Sequence, residues 1–134
     1  MNSAARLLTG VRKYDHITPT LVNLHWLPID CRIKYKIALI TFKCLHGMGP
    51  QYLCDLLLPI SNDLRSSEKM LLVIPKTKKV NYGDRSFQYA AESIWNDLPL
   101  YLCQCISLEV FKRGLKTYLF GIAYEWITVY IWHL

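Results

Sequence analysis

The sequence lacks every glycine arrangement that cradles a nucleotide phosphate. Its six glycines form neither G-x-G-x-x-G nor G-x-x-x-x-G-K-[ST], which excludes the dinucleotide and P-loop fingerprints. It has no zinc-type histidine pair either, since His16, His25, His46 and His133 make no H-x(3–5)-H. The five cysteines, at 31, 44, 54, 103 and 105, contain no C-x-x-C, and Cys103 and Cys105 are separated by one residue. No metal site or cofactor is therefore expected. No Gly-x-Ser-x-Gly elbow is present to position a nucleophile, so nothing points to an enzyme. The opening Met1–Arg6 offers no apolar signal segment, and an odd number of cysteines in or beside apolar runs suits reduced thiols. An intracellular, non-secreted protein is expected, with nucleus and cytoplasm both open.

What is present is apolar bulk. Of 134 residues 52% are hydrophobic, including four Trp, nine Tyr and four Phe, and only 19% are charged, too apolar for a disordered chain. That length suits one small domain. The formal net charge is +6, and its excess is uneven: residues 1–60 carry seven basic and three acidic groups, residues 65–85 six and two, and residues 86–120 three of each. Such a surplus serves either contact with a polyanion's phosphates or solubility.

Prolines and glycines cut the chain into short helical segments. Asn2 to Leu8 reads as the end of a helix closed by Gly10, and Thr18-Pro19 as a cap and first-turn proline opening a helix over 20–27. The longest segment is expected to run from Pro28 and Asp30 to His46, stopped by Gly47. Along it Ile29, Ile33, Ile37, Ile40 and Cys44 form one apolar face, and Cys31, Tyr35, Ala38, Phe42 and Leu45 a second, with Arg32, Lys36 and Lys43 in the stripe between. A helix apolar on two sides belongs at the centre of a core. Gln51–Leu58 is a further short helix, and residues 60–69 a polar loop. Two small strands, or one extended arm, are expected near 70–83, at Met70–Ile74 and Val80–Tyr82. Asp84 is read as the cap of a strongly amphipathic helix through Phe87, Ala90, Ala91, Ile94, Trp95 and Leu98, ended by Pro99. Ser107 opens the last helix, facing inward through Leu108, Phe111, Leu115, Tyr118 and Leu119. The fold class is mainly α, a small irregular multi-helix domain over 1–120.

Residues 121–134 read as an apolar tail. The stretch from Tyr118 to Leu134 holds one acid and no Lys or Arg, but its length is borderline for a transmembrane helix and Glu125 counts against spanning.

In this order the phrases carry a resemblance. Asn2-Ser-Ala-Ala-Arg-Leu-Leu-Thr-Gly, His16-Ile-Thr-Pro, Leu24-His-Trp-Leu-Pro-Ile, Arg32-Ile-Lys-Tyr-Lys-Ile, Thr41-Phe-Lys-Cys-Leu-His-Gly and Pro50-Gln-Tyr-Leu-Cys-Asp-Leu-Leu come first. Leu64-Arg-Ser-Ser, Val73-Ile-Pro-Lys-Thr-Lys, Tyr82-Gly-Asp-Arg-Ser-Phe, Ala90-Ala-Glu-Ser-Ile-Trp-Asn-Asp-Leu-Pro and Ser107-Leu-Glu-Val-Phe-Lys-Arg-Gly-Leu-Lys-Thr-Tyr-Leu-Phe follow. Together they resemble, over about residues 2–120, the region after the reverse-transcriptase domain in LINE-type (non-LTR, jockey-like) retrotransposon polyproteins. The resemblance implies a domain truncated on its N-terminal side, where the family's polymerase thumb ends, and a tail outside the family.

It also implies a chain without the family's chemistry. Polymerisation needs a carboxylate pair holding two divalent metals, and there is no Tyr-x-Asp-Asp. Tyr82-Gly-Asp84-Arg85 is the nearest string, and its last position is a cation. The implied role is accessory: weak holding of RNA or single-stranded DNA. Lys76, Lys78, Lys79 and Arg85 would contact phosphates, Tyr82 would stack on a base, and Arg32, Lys36 and Lys43 would form a second basic stripe. Two other readings stay open, a helical protein-interaction module and a small tail-anchored membrane protein.

Overall fold

A computed structural model describes residues 2–60, 70–74, 76 and 86–131, with side chains as far as residue 125. The described residues are mainly helical, as expected, in seven helices: α1 (Asn2–Thr9), α2 (Thr18–Asn23), α3 (Ile29–Leu45), α4 (Gln51–Cys54), α5 (Phe87–Asp97), α6 (Leu100–Cys103) and α7 (Leu108–Ile131). The glycine stops act as anticipated. Gly47 sits at φ +68°, its N–H donates to the Cys44 carbonyl at 3.2 Å, and the Met48 N–H reaches back to Lys43 at 2.7 Å. That pair of bonds is the Schellman ending, which needs a left-handed residue at its first non-helical position. Gly10, at φ +70°, closes α1 with the single-bond version, its N–H donating to the Arg6 carbonyl at 2.8 Å.

The helix starts differ from the expectation. Thr18 lies inside α2, and Ile17 precedes it in a helical conformation with no side-chain cap bond. The cap of α5 is Ser86, whose hydroxyl accepts from the Tyr89 N–H at 3.3 Å. A capping side chain must stand immediately before the first helical residue to reach the second or third N–H, and Asp84 is two positions too early. Asp84 itself lies outside the described residues. The longest helix is not the 17-residue α3 but the 24-residue α7, which continues past Phe120 into the expected tail.

Packing divides the chain into two compact units, residues 1–33 with 116–134, and residues 34–115. In the first, Ala5, Leu21 and Tyr124 are buried, with Ile17, Val22, Leu24, Trp26, Phe120 and Ala123 packed around them. The Tyr124 hydroxyl donates to the Trp26 carbonyl at 2.7 Å, and its ring meets Phe120 edge-on at 4.7 Å. Burial pushes the Tyr124 phenol above its ordinary value of 10.0. Tyr124 corrects the expectation that residues beyond 120 lie outside the packed fold: Ala123 and Tyr124 share a helix face with Phe120, so the apolar pattern of α7 continues into this core. Tyr124→Phe should cost about 0.5–1.5 kcal/mol, because it removes one hydrogen bond and keeps the ring. Deletion of residues 122–134 should cost more, and urea unfolding of both variants checks the ranking.

The second unit is built around aromatics. Phe42 of α3 stacks on Phe111 of α7 at 4.2 Å between ring centroids, and Trp95 of α5 lies 6.0 Å from Phe111 and 6.5 Å from Phe42. All three are fully buried. Of the two apolar faces expected on α3, one buries Ala38 and Phe42, and the other buries Cys44 at the C-terminal end of the helix. Ile33 and Ile29, nearer the helix start and in the first unit, are about half exposed.

Val80–Tyr82, the second strand expected, lies outside the described residues, while an extended segment is present at 71–74. It makes an isolated antiparallel bridge between Leu72 and Pro59, with the Ile60 N–H donating to Leu71 at 2.9 Å and the Val73 N–H to Leu58 at 2.8 Å. Its other edge is held by one side chain. The Leu72 N–H donates to Asn96 Oδ1 at 3.0 Å, and Asn96 Nδ2 donates to the Leu72 carbonyl at 2.9 Å. An amide offers both donor and acceptor, so Asn96 stands in for the neighbouring strand the segment lacks.

Candidate nucleic-acid interface

The described part of the expected interface is helix α3 and Lys76. Arg32 and Lys36 are exposed, Lys43 is half-buried, and Lys76 is exposed just beyond the bridged segment. Arg32 falls in the first unit, and Lys36, Lys43 and Lys76 in the second. Lys78, Lys79, Tyr82 and Arg85 lie outside the described residues.

Unbroken helix between Lys36 and Lys43 turns their seven-residue spacing into two turns on one face, about 10 Å along the axis at 1.5 Å per residue. The order in which α3 ends also matters. Lys43 sits in its last turn, where the helix dipole favours a cation.

Other cations are engaged within the protein. Lys112 donates to Glu109 Oε1 at 2.8 Å, one turn away on α7. That contact holds the Glu109 carboxyl below, and the Lys112 ammonium above, their ordinary ranges. A lysine already paired this way must give up its carboxylate before it takes a phosphate.

Several features of chemical interest were not singled out from sequence. Glu92 of α5 is fully buried, and among the described residues neither carboxylate oxygen has a hydrogen-bond partner. Its position 60° round the helix from Trp95 was a usable signal, since that places it at the border of the apolar stripe. Burial, with the neighbouring Cys54 thiol adding to it, pushes the Cys44 thiol up to about 12.

Among the described residues no group of three or more His, Cys, Asp or Glu side chains is arranged to hold a metal ion. No described helix is long and apolar enough to cross a membrane. No family model, no curated protein and no solved structure matches the chain.

Proposed function

We propose that this chain is a non-catalytic segment akin to the C-terminal region of LINE-type reverse transcriptases, and that it binds single-stranded RNA or DNA weakly through phosphate contacts. The observation that carries the reading is the collinear run of family-like phrases over residues 2–120, with the catalytic carboxylate pair absent from it. The exposure of Lys36 and Lys76, which leaves both ammonium groups available to a polyanion, supports the binding role. In this reading Lys76, Lys78, Lys79 and Arg85 form a basic arm beside Tyr82, and α3 supplies further cations. The protein acts inside the cell and needs no cofactor.

The test is substitution within the arm. Lys76, Lys78 and Lys79 changed together to alanine should weaken binding to a single-stranded RNA oligomer. The plot of log K against log salt should flatten by about two units, as expected for three lost phosphate contacts at roughly 0.7 each. Unchanged affinity and slope, with helicity intact, would remove the arm as the binding site.

A second reading, a helical protein-interaction module, has its own support. Tyr101, Ile106 and Val110 are 58%, 92% and 55% exposed, apolar side chains that a protein partner would cover. Salt-independent binding to a protein partner, with none to nucleic acid, would favour it.

A further inference from the structure

The last turn of α1 fixes the loop that follows it. Ala5 is buried with Leu21 and Tyr124, which anchors the helix, and its neighbour Arg6 spends its guanidinium on the loop. One nitrogen donates to the Arg12 carbonyl and the other to the Asp15 carbonyl, the latter at 2.8 Å. The loop also closes on itself. The Asp15 N–H donates to the Arg12 carbonyl at 3.2 Å, and the Arg12 N–H donates to Asp15 Oδ2 at 3.3 Å. Residues 12–15 are therefore a tight turn with Lys13 and Tyr14 at its corners, and the Arg6 fork holds both of its ends.

What this turn presents to solvent is an aromatic ring between cations. Tyr14 is 92% exposed, and Arg12 and Lys13 beside it are exposed too. Tyr52 and Tyr101 are also exposed, but their chain neighbours, Gln51 and Leu53, and Leu100 and Leu102, carry no charge. The nearest acid, Asp15, turns one carboxylate oxygen to the Arg12 main chain. Among the described residues neither Arg12 nor Lys13 has a carboxylate within ion-pair distance. A ring held out in water by a fixed turn contributes nothing to a core, and its shape is set before any ligand arrives.

We propose that the turn at residues 12–15 is a second contact site for single-stranded RNA or DNA, with an unpaired base stacked on Tyr14 and the adjoining phosphates held by Arg12 and Lys13. The open face of the ring calls for a base whose own face is free, which a single strand offers and a duplex hides within its stack. The two cations, next to the ring in the chain, meet the charge that accompanies every base. Arg6 is a positioning residue: its guanidinium is occupied by the two carbonyls and holds the ring and cations in place. This site rests on the reading that the chain binds single-stranded nucleic acid. It belongs to the first unit, whereas Lys76 of the proposed arm belongs to the second.

The test measures binding of the full chain, by fluorescence anisotropy, to labelled oligouridine and to an abasic oligomer with the same number of phosphates. Tyr14→Ala should weaken oligouridine binding at least about five-fold, the lower end for losing one stacked base, and leave abasic binding unchanged. Tyr14→Phe keeps the ring and should keep the native affinity. Arg12→Gln combined with Lys13→Gln should flatten the plot of log K against log salt by about 1.4, for two phosphate contacts at roughly 0.7 each. Arg6→Lys retains the charge but not the fork, so it should weaken oligouridine binding with the salt slope unchanged. Native binding that none of these variants alters, with helicity intact, would overturn this site and leave the arm standing. Equal loss on both oligomers in Tyr14→Ala would overturn the stacking role. No binding by the folded native chain would overturn the underlying reading, and this site with it.

Discussion

Replacing Trp95 with alanine should destabilise the second unit by about 3–5 kcal/mol, the range for deleting a large aromatic from a packed core. The ring is fully buried and lies within 6.5 Å of both Phe42 and Phe111. A cavity there removes packing from two other aromatics as well as the indole's own burial. The indole Nε1 also donates to the Met70 carbonyl at 3.1 Å, so the same substitution loosens the end of the extended segment. Trp95→Phe separates the contributions: it keeps a ring and loses the hydrogen bond, and should cost less than Trp95→Ala. Urea unfolding followed by circular dichroism measures both. A loss below about 1 kcal/mol for Trp95→Ala would mean the ring is not a core residue, and would return it to the candidates for base stacking.

Glu92→Met should have the opposite sign, stabilising the protein at neutral pH by about 1–3 kcal/mol. Among the described residues both oxygens of the buried carboxylate lack a hydrogen-bond partner, and an unpaired charge out of water is costly. Burial raises the Glu92 carboxyl above its ordinary 4.5, opposed in part by the Gln88 side chain and the Leu58 main chain. For an acid whose folded pKa is raised, the folded state holds the proton more tightly than the unfolded chain. Its contribution is present in full below pH 4.5 and is lost as pH rises through the raised folded value. The native chain should therefore lose stability over that window, and Glu92→Met should not. Glu109, lowered by Lys112, acts in the other direction as pH falls, but its carboxylate is exposed and water screens the pair. An unchanged pH profile in Glu92→Met would show that Glu92 finds a partner in solution.

The helices were legible where a local signal was enough. Gly10 and Gly47 marked two helix ends because only a left-handed residue completes those hydrogen bonds. The stripe from Phe87 to Leu98 identified α5, and Trp95 as core, because a 3.6-residue period is a local property. What stayed hidden was non-local. The bridge between Pro59 and Leu72 and the Asn96 clamp join residues 13 or more apart, and an asparagine late in a helix reads as an ordinary polar residue. The continuation of α7 was missed because its apolar residues were read for what they resemble; Tyr124 shows that they have a core to enter. Of the candidate interface, the sequence supplied the charges and α3 supplied their spacing. The pairing of Lys112 with Glu109 came from the structure.

The central claim is that the basic residues bind a polyanion, and the salt dependence of native-chain binding to a single-stranded RNA oligomer tests it most directly. Phosphate contacts release counterions, so log K should fall linearly with log salt, with a slope of about −2 to −3 for three or four contacts. A slope near zero, or no binding even at low salt by a folded chain, would contradict it.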